Sequence, residues 1–117
     1  MFKDFSDFKK CPVTFVLALN DTMNVLSGKW KLPVIGALMF GKKRFKELER
    51  DIPGITPRML SKELKDLEIN GIITRTVHDT IPVTVEYQLT PSGKEFHRVL
   101  DAMIEWGIGH REAVLGN

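Results

Sequence analysis

Cysteine is almost absent: the 117 residues contain one, which excludes an internal disulfide and a cysteine-based zinc cage. Neither a secreted disulfide scaffold nor a zinc finger is therefore expected. Proline and glycine are sparse as well, at six and nine, and 27% charged with 43% hydrophobic residues is an ordinary globular composition. No long apolar run occurs. The longest, residues 32–40, is interrupted by Pro33 and Gly36 and falls far short of the roughly 20 residues that a membrane span needs. The first ten residues mix Lys3, Lys9 and Lys10 with Asp4 and Asp7 and lack the apolar block of a signal peptide. A cytoplasmic protein with no membrane partner is expected. Catalytic signatures are missing too: His78, His97 and His110 are scattered, H-E-x-x-H, G-x-S-x-G and P-loop patterns do not occur, and the single cysteine has no recognisable histidine partner nearby. No enzyme activity, cofactor or metal site is expected. The length suits one domain, 1–117, able to bury roughly two-thirds of its unfolded surface.

Net charge is also small, +2, but it is unevenly placed. Between Lys29 and Lys65 ten bases face four acids, a balance of +6 that leaves −4 for the rest of the chain. A basic middle between acidic flanks suggests that one face meets a polyanion while another does something else.

Periodicity supplies the elements. Phe15, Leu19, Met23 and Leu26 recur at helical steps, which predicts a helix over 12–26 with Pro12 near its first turn. Trp30, Val34 and Leu38, with Ile35 and Met39 beside them, predict a second helix that stops before Gly41. Phe45, Leu48 and Ile52 predict a third of about two turns. Pro53 and Gly54 then turn the chain, Thr56 and Pro57 form an N-cap and first helical position, and Asn70-Gly71 stops the helix that follows. Two short helices joined this tightly predict a helix-turn-helix. Residues 72–77 and 83–89 are rich in β-branched side chains, the second segment alternating, and predict a half-buried hairpin with 78–82 as its tip. Thr90-Pro91 caps a last long helix striped by Phe96, Val99, Leu100, Met103 and Trp106. The fold class is mainly α with a small β-hairpin: a winged helix-turn-helix.

The helix after Thr56 carries the sharpest functional signal. At 100° per residue Leu60, Leu64 and Leu67 fall on one side and Arg58, Ser61, Lys62 and Lys65 on the other. The second helix of a helix-turn-helix offers its N-terminal part to base edges in the major groove of double-stranded DNA, where Arg grips guanine through two hydrogen bonds. Arg58 and Ser61 are the candidate base readers. Lys62 and Lys65 suit phosphates, since a point charge on a flexible stem gives affinity with little sequence preference. Lys29 and Lys31, flanking Trp30 at a helix N-terminus, form a candidate phosphate clamp. Lys42, Lys43, Arg44 and Lys46 are further backbone candidates. At the wing Arg75 is the only base; Arg75, Thr80 and Thr84 are its candidate contacts.

The same residues carry a resemblance. Cys11-Pro12-Val13, Gly28-Lys29-Trp30-Lys31, Arg44-Phe45-Lys46-Glu47-Leu48, Leu64-Lys65-Asp66-Leu67-Glu68-Ile69-Asn70-Gly71, Val85-Glu86-Tyr87-Gln88-Leu89-Thr90-Pro91-Ser92-Gly93 and Trp106-Gly107 stand in the order of motifs in the HxlR-type winged helix-turn-helix regulators, relatives of the MarR group. The chain resembles that family over about residues 11–107. The resemblance implies a homodimeric transcription factor, a repressor on a near-palindromic operator, paired through its first and last helices. Phe15, Leu19, Phe96, Leu100, Met103 and Trp106 are then the candidate dimer-interface residues. It also implies a response to oxidants or electrophiles through Cys11, whose thiolate Lys9, Lys10 and a following helix would favour. No pattern names a small-molecule effector. In two places this chain departs from the pattern: Pro82-Val83-Thr84 lacks a base where relatives resemble Pro-x-Arg/Lys, and Pro33 interrupts the second helix. The competing reading is a winged-helix module for protein or RNA contact without operator-specific DNA binding, since a fold does not fix a function.

Overall fold

The computed structural model describes residues 12–116. The elements run α1 (Pro12–Leu26), α2 (Lys31–Leu38), β1 (Lys43–Arg44), α3 (Phe45–Asp51), α4 (Pro57–Ile69), β2 (Ile73–His78), β3 (Thr84–Leu89), α5 (Pro91–Glu95) and α6 (His97–Leu115). This is the expected winged helix-turn-helix, with two differences. A two-residue strand, β1, adds a third member to the sheet, whose order is β1-β3-β2 with both pairings antiparallel. The last helix is divided at Phe96, where Phe96 N–H bonds back to the Gly93 carbonyl at 3.2 Å and Val99 N–H to the Phe96 carbonyl at 3.0 Å. These i→i+3 bonds tighten the chain between α5 and α6.

The helix-turn-helix forms as its punctuation predicts. Thr56 is extended, and its hydroxyl accepts the Met59 N–H at 3.1 Å, satisfying one of the orphan donors of α4. In the turn, Gly54 takes φ +87°, a conformation that a side chain would strain. A Cβ there would also meet the Trp30 ring at 3.6 Å, so Trp30 lies beneath the turn. Val34, Ile35 and Leu38 of α2, Leu48 of α3, and Leu60, Leu64 and Leu67 of α4 form the core, closed by Ile72, Ile73 and Leu89 at the base of the wing.

One joint ties the helix-turn-helix to the C-terminal helices. The Thr90 hydroxyl lies 2.6 Å from the Gly71 carbonyl and 3.1 Å from that of Ile72, and accepts the Gly93 N–H at 3.0 Å. The Gly93 position is so tight that a Cβ would stand 2.2 Å from the Ile72 carbonyl oxygen and 3.1 Å from Leu89. Gly93→Ala should therefore lower stability by about 1–3 kcal/mol, the usual cost of overpacking, read as a fall in denaturation midpoint with an unchanged slope.

The terminal helices are left splayed. Neither α1 nor α6 contains a fully buried side chain among the described residues, while Val13, Val16, Leu17, Leu19 and Met23 on α1 and Met103, Ile104, Trp106 and Ile108 on α6 are exposed. The radius of gyration is 17.0 Å, against about 13 Å for a compact domain of this length. No helix among the described residues is long and apolar enough to cross a membrane.

Candidate nucleic-acid interface

The helix α4 is divided lengthwise by burial. Leu60, Glu63, Leu64 and Leu67 are buried, and Arg58, Ser61, Lys62 and Lys65 are exposed along the opposite face. The four predicted contacts thus lie on one stripe of one helix, held from behind by the core. The N-cap and Pro57 fix where that stripe begins.

Ion pairing separates the basic residues into two groups. Lys42 Nζ lies 3.8 Å from Glu86, Lys43 Nζ 2.8 Å from Asp51, and Lys46 Nζ 3.8 Å from Glu49. The Lys43 hydrogen bond holds the Asp51 carboxyl below its ordinary pKa, and the charges of Lys43 and Arg50 add to that effect. Arg58, Lys62, Lys65 and Arg75 make no ion pair among the described residues. Cations on the candidate face are thus left unneutralised, while Lys42, Lys43 and Lys46 around β1 and α3 each stand beside a carboxylate. Arg44 is exposed and its backbone N–H donates to the Glu47 carboxylate at 2.9 Å, beginning α3. Lys29 is exposed, its ammonium 4.9 Å from the Trp30 ring centroid, a cation–π contact.

Lys31 is not a surface clamp, and that expectation is corrected. Its side chain is 8% exposed, with Nζ 3.0 Å from Glu63 Oε1 and 3.5 Å from Asp66 Oδ2. Burial alone would push its pKa down, but the hydrogen bond and charge of Glu63, with Asp66 behind, outweigh it and hold the ammonium above its ordinary value. The residue binds α2 to the inner face of α4 and is unavailable to a phosphate. Sequence spacing contains the signal for this: Lys31 stands in register with Val34, Ile35 and Leu38, and Glu63 with Leu60, Leu64 and Leu67, so both ions occupy apolar-stripe positions.

At the wing the Thr80 hydroxyl is 2.8 Å from the Pro82 carbonyl and closes the tip, while Thr84 is half-buried opposite His78. Glu86 bonds His78 and faces Lys42 on the outer side of the sheet. Ile81 and Val83 make the tip apolar rather than basic. Arg75 stands farther back, directly opposite Tyr87 in the register. It shares a groove with Ser61 and Lys65 of α4, which also brings Tyr87, a residue that periodicity alone does not flag, to the candidate face. Of the predicted dimer residues, Leu19, Met103 and Trp106 are exposed, whereas Phe96 and Leu100 pack partly on their own core and Phe15 is half-buried. Trp106 stacks on His110 with centroids 4.6 Å apart. Cys11 lies outside the described residues.

Known proteins agree with this architecture. Residues 25–114 match the family model described as HxlR-like helix-turn-helix. An HTH-type transcriptional regulator of Bacillus subtilis, YtcD, is 39% identical over 101 residues, covering 86% of this chain and 80% of that protein. A regulator of the same description from Methanothermobacter thermautotrophicus is 44% identical over 93 residues, covering 80% of this chain and 71% of its own. The structure of the redox regulator HypR in its reduced form superposes with a TM-score of 0.77 at 38% identity, covering 86% of this chain and 99% of HypR. With its helix-turn-helix, wing and family match together, the chain belongs to the HxlR-like helix-turn-helix family of transcriptional regulators.

Proposed function

We propose that two copies of this chain, joined through α1 and α6, bind a near-palindromic operator in double-stranded DNA and repress transcription by occupying it. The observation that carries this reading is the unpaired stripe Arg58, Ser61, Lys62 and Lys65 on a helix whose other side is core. Arg58 and Ser61 read base edges near the start of α4, and Lys62 and Lys65 hold phosphates. Arg75 contributes from the wing base, and Lys29 and Arg44 add cations at the margin. Lys42, Lys43 and Lys46 make a smaller contribution, because each stands beside a carboxylate. The protein acts in the cytoplasm, without an enzymatic step.

Pairing through the terminal helices is supported by their exposed apolar faces and by the extended single-chain form. A closed two-fold dimer buries both faces and places two α4 helices in successive major grooves, about 34–36 Å apart. Selection of 30-bp random-sequence duplexes by the purified protein, followed by sequencing, tests this. Inverted half-sites 10–10.5 bp apart centre to centre are expected. Recovery of unenriched sequences would favour the competing protein-contact or RNA reading.

Redox control through Cys11 is the second part of the proposal, supported by the similarity to HypR, a redox regulator solved in reduced and oxidised forms. With one cysteine per chain, the modified form is a thiol adduct, a sulfenic acid, or a disulfide between the two Cys11 of a dimer. Diamide should release wild-type protein from the selected duplex and leave Cys11→Ser bound; equal release of both would remove Cys11 from the switch.

A further inference from the structure

Between the outer face of α4 and the sheet lies an open groove of about 270 Å³ lined by Ser61, Leu64, Lys65, Glu68, Arg75 and Tyr87. We infer that it seats one backbone phosphate of bound double-stranded DNA, with Tyr87, Arg75 and Lys65 as donors; this rests on the DNA-binding reading above and locates one of its contacts.

The register makes the groove. Arg75 and Tyr87 are directly opposed in the β2–β3 pairing, so their side chains leave the same face of the sheet. Two residues along that face stand Ile73 and Leu89, opposed to each other and buried in the core. The face carrying Arg75 and Tyr87 is therefore the one turned toward α4, and the groove is where the buried part of that face gives way to solvent. From the helix side Ser61 and Lys65 arrive four residues apart, which places them one above the other. Two elements thus converge on one place with two cations and two hydroxyls.

None of the four side chains has a hydrogen bond or ion pair among the described residues. Lys43, which flanks Tyr87 across its other strand, shows the contrast: it is held by Asp51 at 2.8 Å. The Tyr87 ring packs against the core, which fixes the side chain without using its hydroxyl. Such a set matches a phosphodiester, a single anion rich in acceptors, with Arg able to bond two oxygens at once and Tyr supplying a neutral donor. Leu64 and the Tyr87 ring give it an apolar wall, beside which a charged hydrogen bond is stronger than in open water. Glu68 is the one opposing charge and leaves the groove at net +1. Because the groove adjoins Ser61 and Lys65 of the recognition stripe, its anion belongs to the strand being read and not to a free metabolite.

The test compares wild type with Tyr87→Phe, on the duplex recovered by selection and on a random 30-bp duplex. The variant should keep the wild-type melting temperature and bind both duplexes about tenfold more weakly, the effect of one lost hydrogen bond to a charged group. A scan replacing one phosphate at a time by neutral methylphosphonate should then show one position per half-site whose replacement costs wild type more than it costs Tyr87→Phe. Arg75→Gln, read the same way, serves if Tyr87→Phe does not fold. Wild-type affinity in the hydroxyl variant, or a penalty profile identical to wild type at every position, overturns the seat while leaving DNA binding intact. So does selective displacement of DNA by inorganic phosphate over chloride at equal ionic strength, which would mark a free-anion site. Absence of any salt-dependent wild-type binding overturns the DNA reading and the seat with it.

Discussion

Replacing Lys31 with Met should destabilise the domain by about 3–5 kcal/mol, measured by denaturant unfolding at pH 7. The size follows from what is left behind. Glu63 is also only 8% exposed, so without its 3.0 Å partner it is left as a buried carboxylate with no close cation. Asp66, more exposed at 39%, can turn to water and is a minor part of the loss. Lys31→Met combined with Glu63→Leu should recover most of the stability, because an apolar pair of similar volume avoids both desolvation costs. The pair is also pH-linked. Lys31 has a raised pKa in the folded state, so its contribution is complete below the unfolded value of about 10.4 and is lost as pH rises through the higher folded value. The stability gap between wild type and the double variant should therefore stay constant from pH 7 to about 10 and move against wild type only above that. A single variant as stable as wild type at pH 7 would mean the ions are solvated. Since Lys31 grips α4 from behind, it sets how the exposed basic stripe of that helix is presented.

Met103→Glu should convert the protein to a single-chain species in sedimentation and lower affinity for the selected duplex by at least about 100-fold, the scale of avidity lost when two linked sites become one. Met103 is exposed in the single chain at 41%, so a carboxylate there meets water in the monomer and costs its fold little. In the dimer it would enter the apolar face that Leu19, Ile104 and Trp106 help to form, and an unpaired charge buried there is expensive. Affinity for a single half-site should change far less, which separates a dimer effect from a damaged reading head. A variant that stays dimeric would move the interface away from α6.

Much of this is legible in the sequence. α1 lies at the predicted residues 12–26 because Pro12 and the break at Ser27-Gly28 bracket an unambiguous stripe. α4 begins and ends where its Thr-Pro and Asn-Gly signals stand, since capping is local chemistry that needs no tertiary partner. β1 was not legible: two residues show no periodicity, and they become a strand only by pairing with Tyr87 and Glu86. The division at Phe96 was equally hidden, since Phe96 and Leu100 continue a helical stripe, and the break is set by how Thr90 and Gly93 dock on the Gly71-Ile72 backbone. In the site, the α4 stripe could be read from angle alone. Lys31 resembles Lys29 in sequence because both flank Trp30, but only Lys31 shares the apolar positions of α2. Tyr87 and Arg75 meet only through strand register, which a single sequence does not specify.

Whether the outer face of α4 reads bases is tested by Arg58→Ala. Binding of wild type and variant to the selected duplex and to a random duplex, at one fixed salt concentration, gives the specificity ratio for each. The variant should lose about 1–3 kcal/mol on the selected duplex, change little on the random one, and tolerate any base pair at one position of each half-site. Equal losses on both duplexes, with base preference intact, would make Arg58 a backbone contact and overturn base reading by α4.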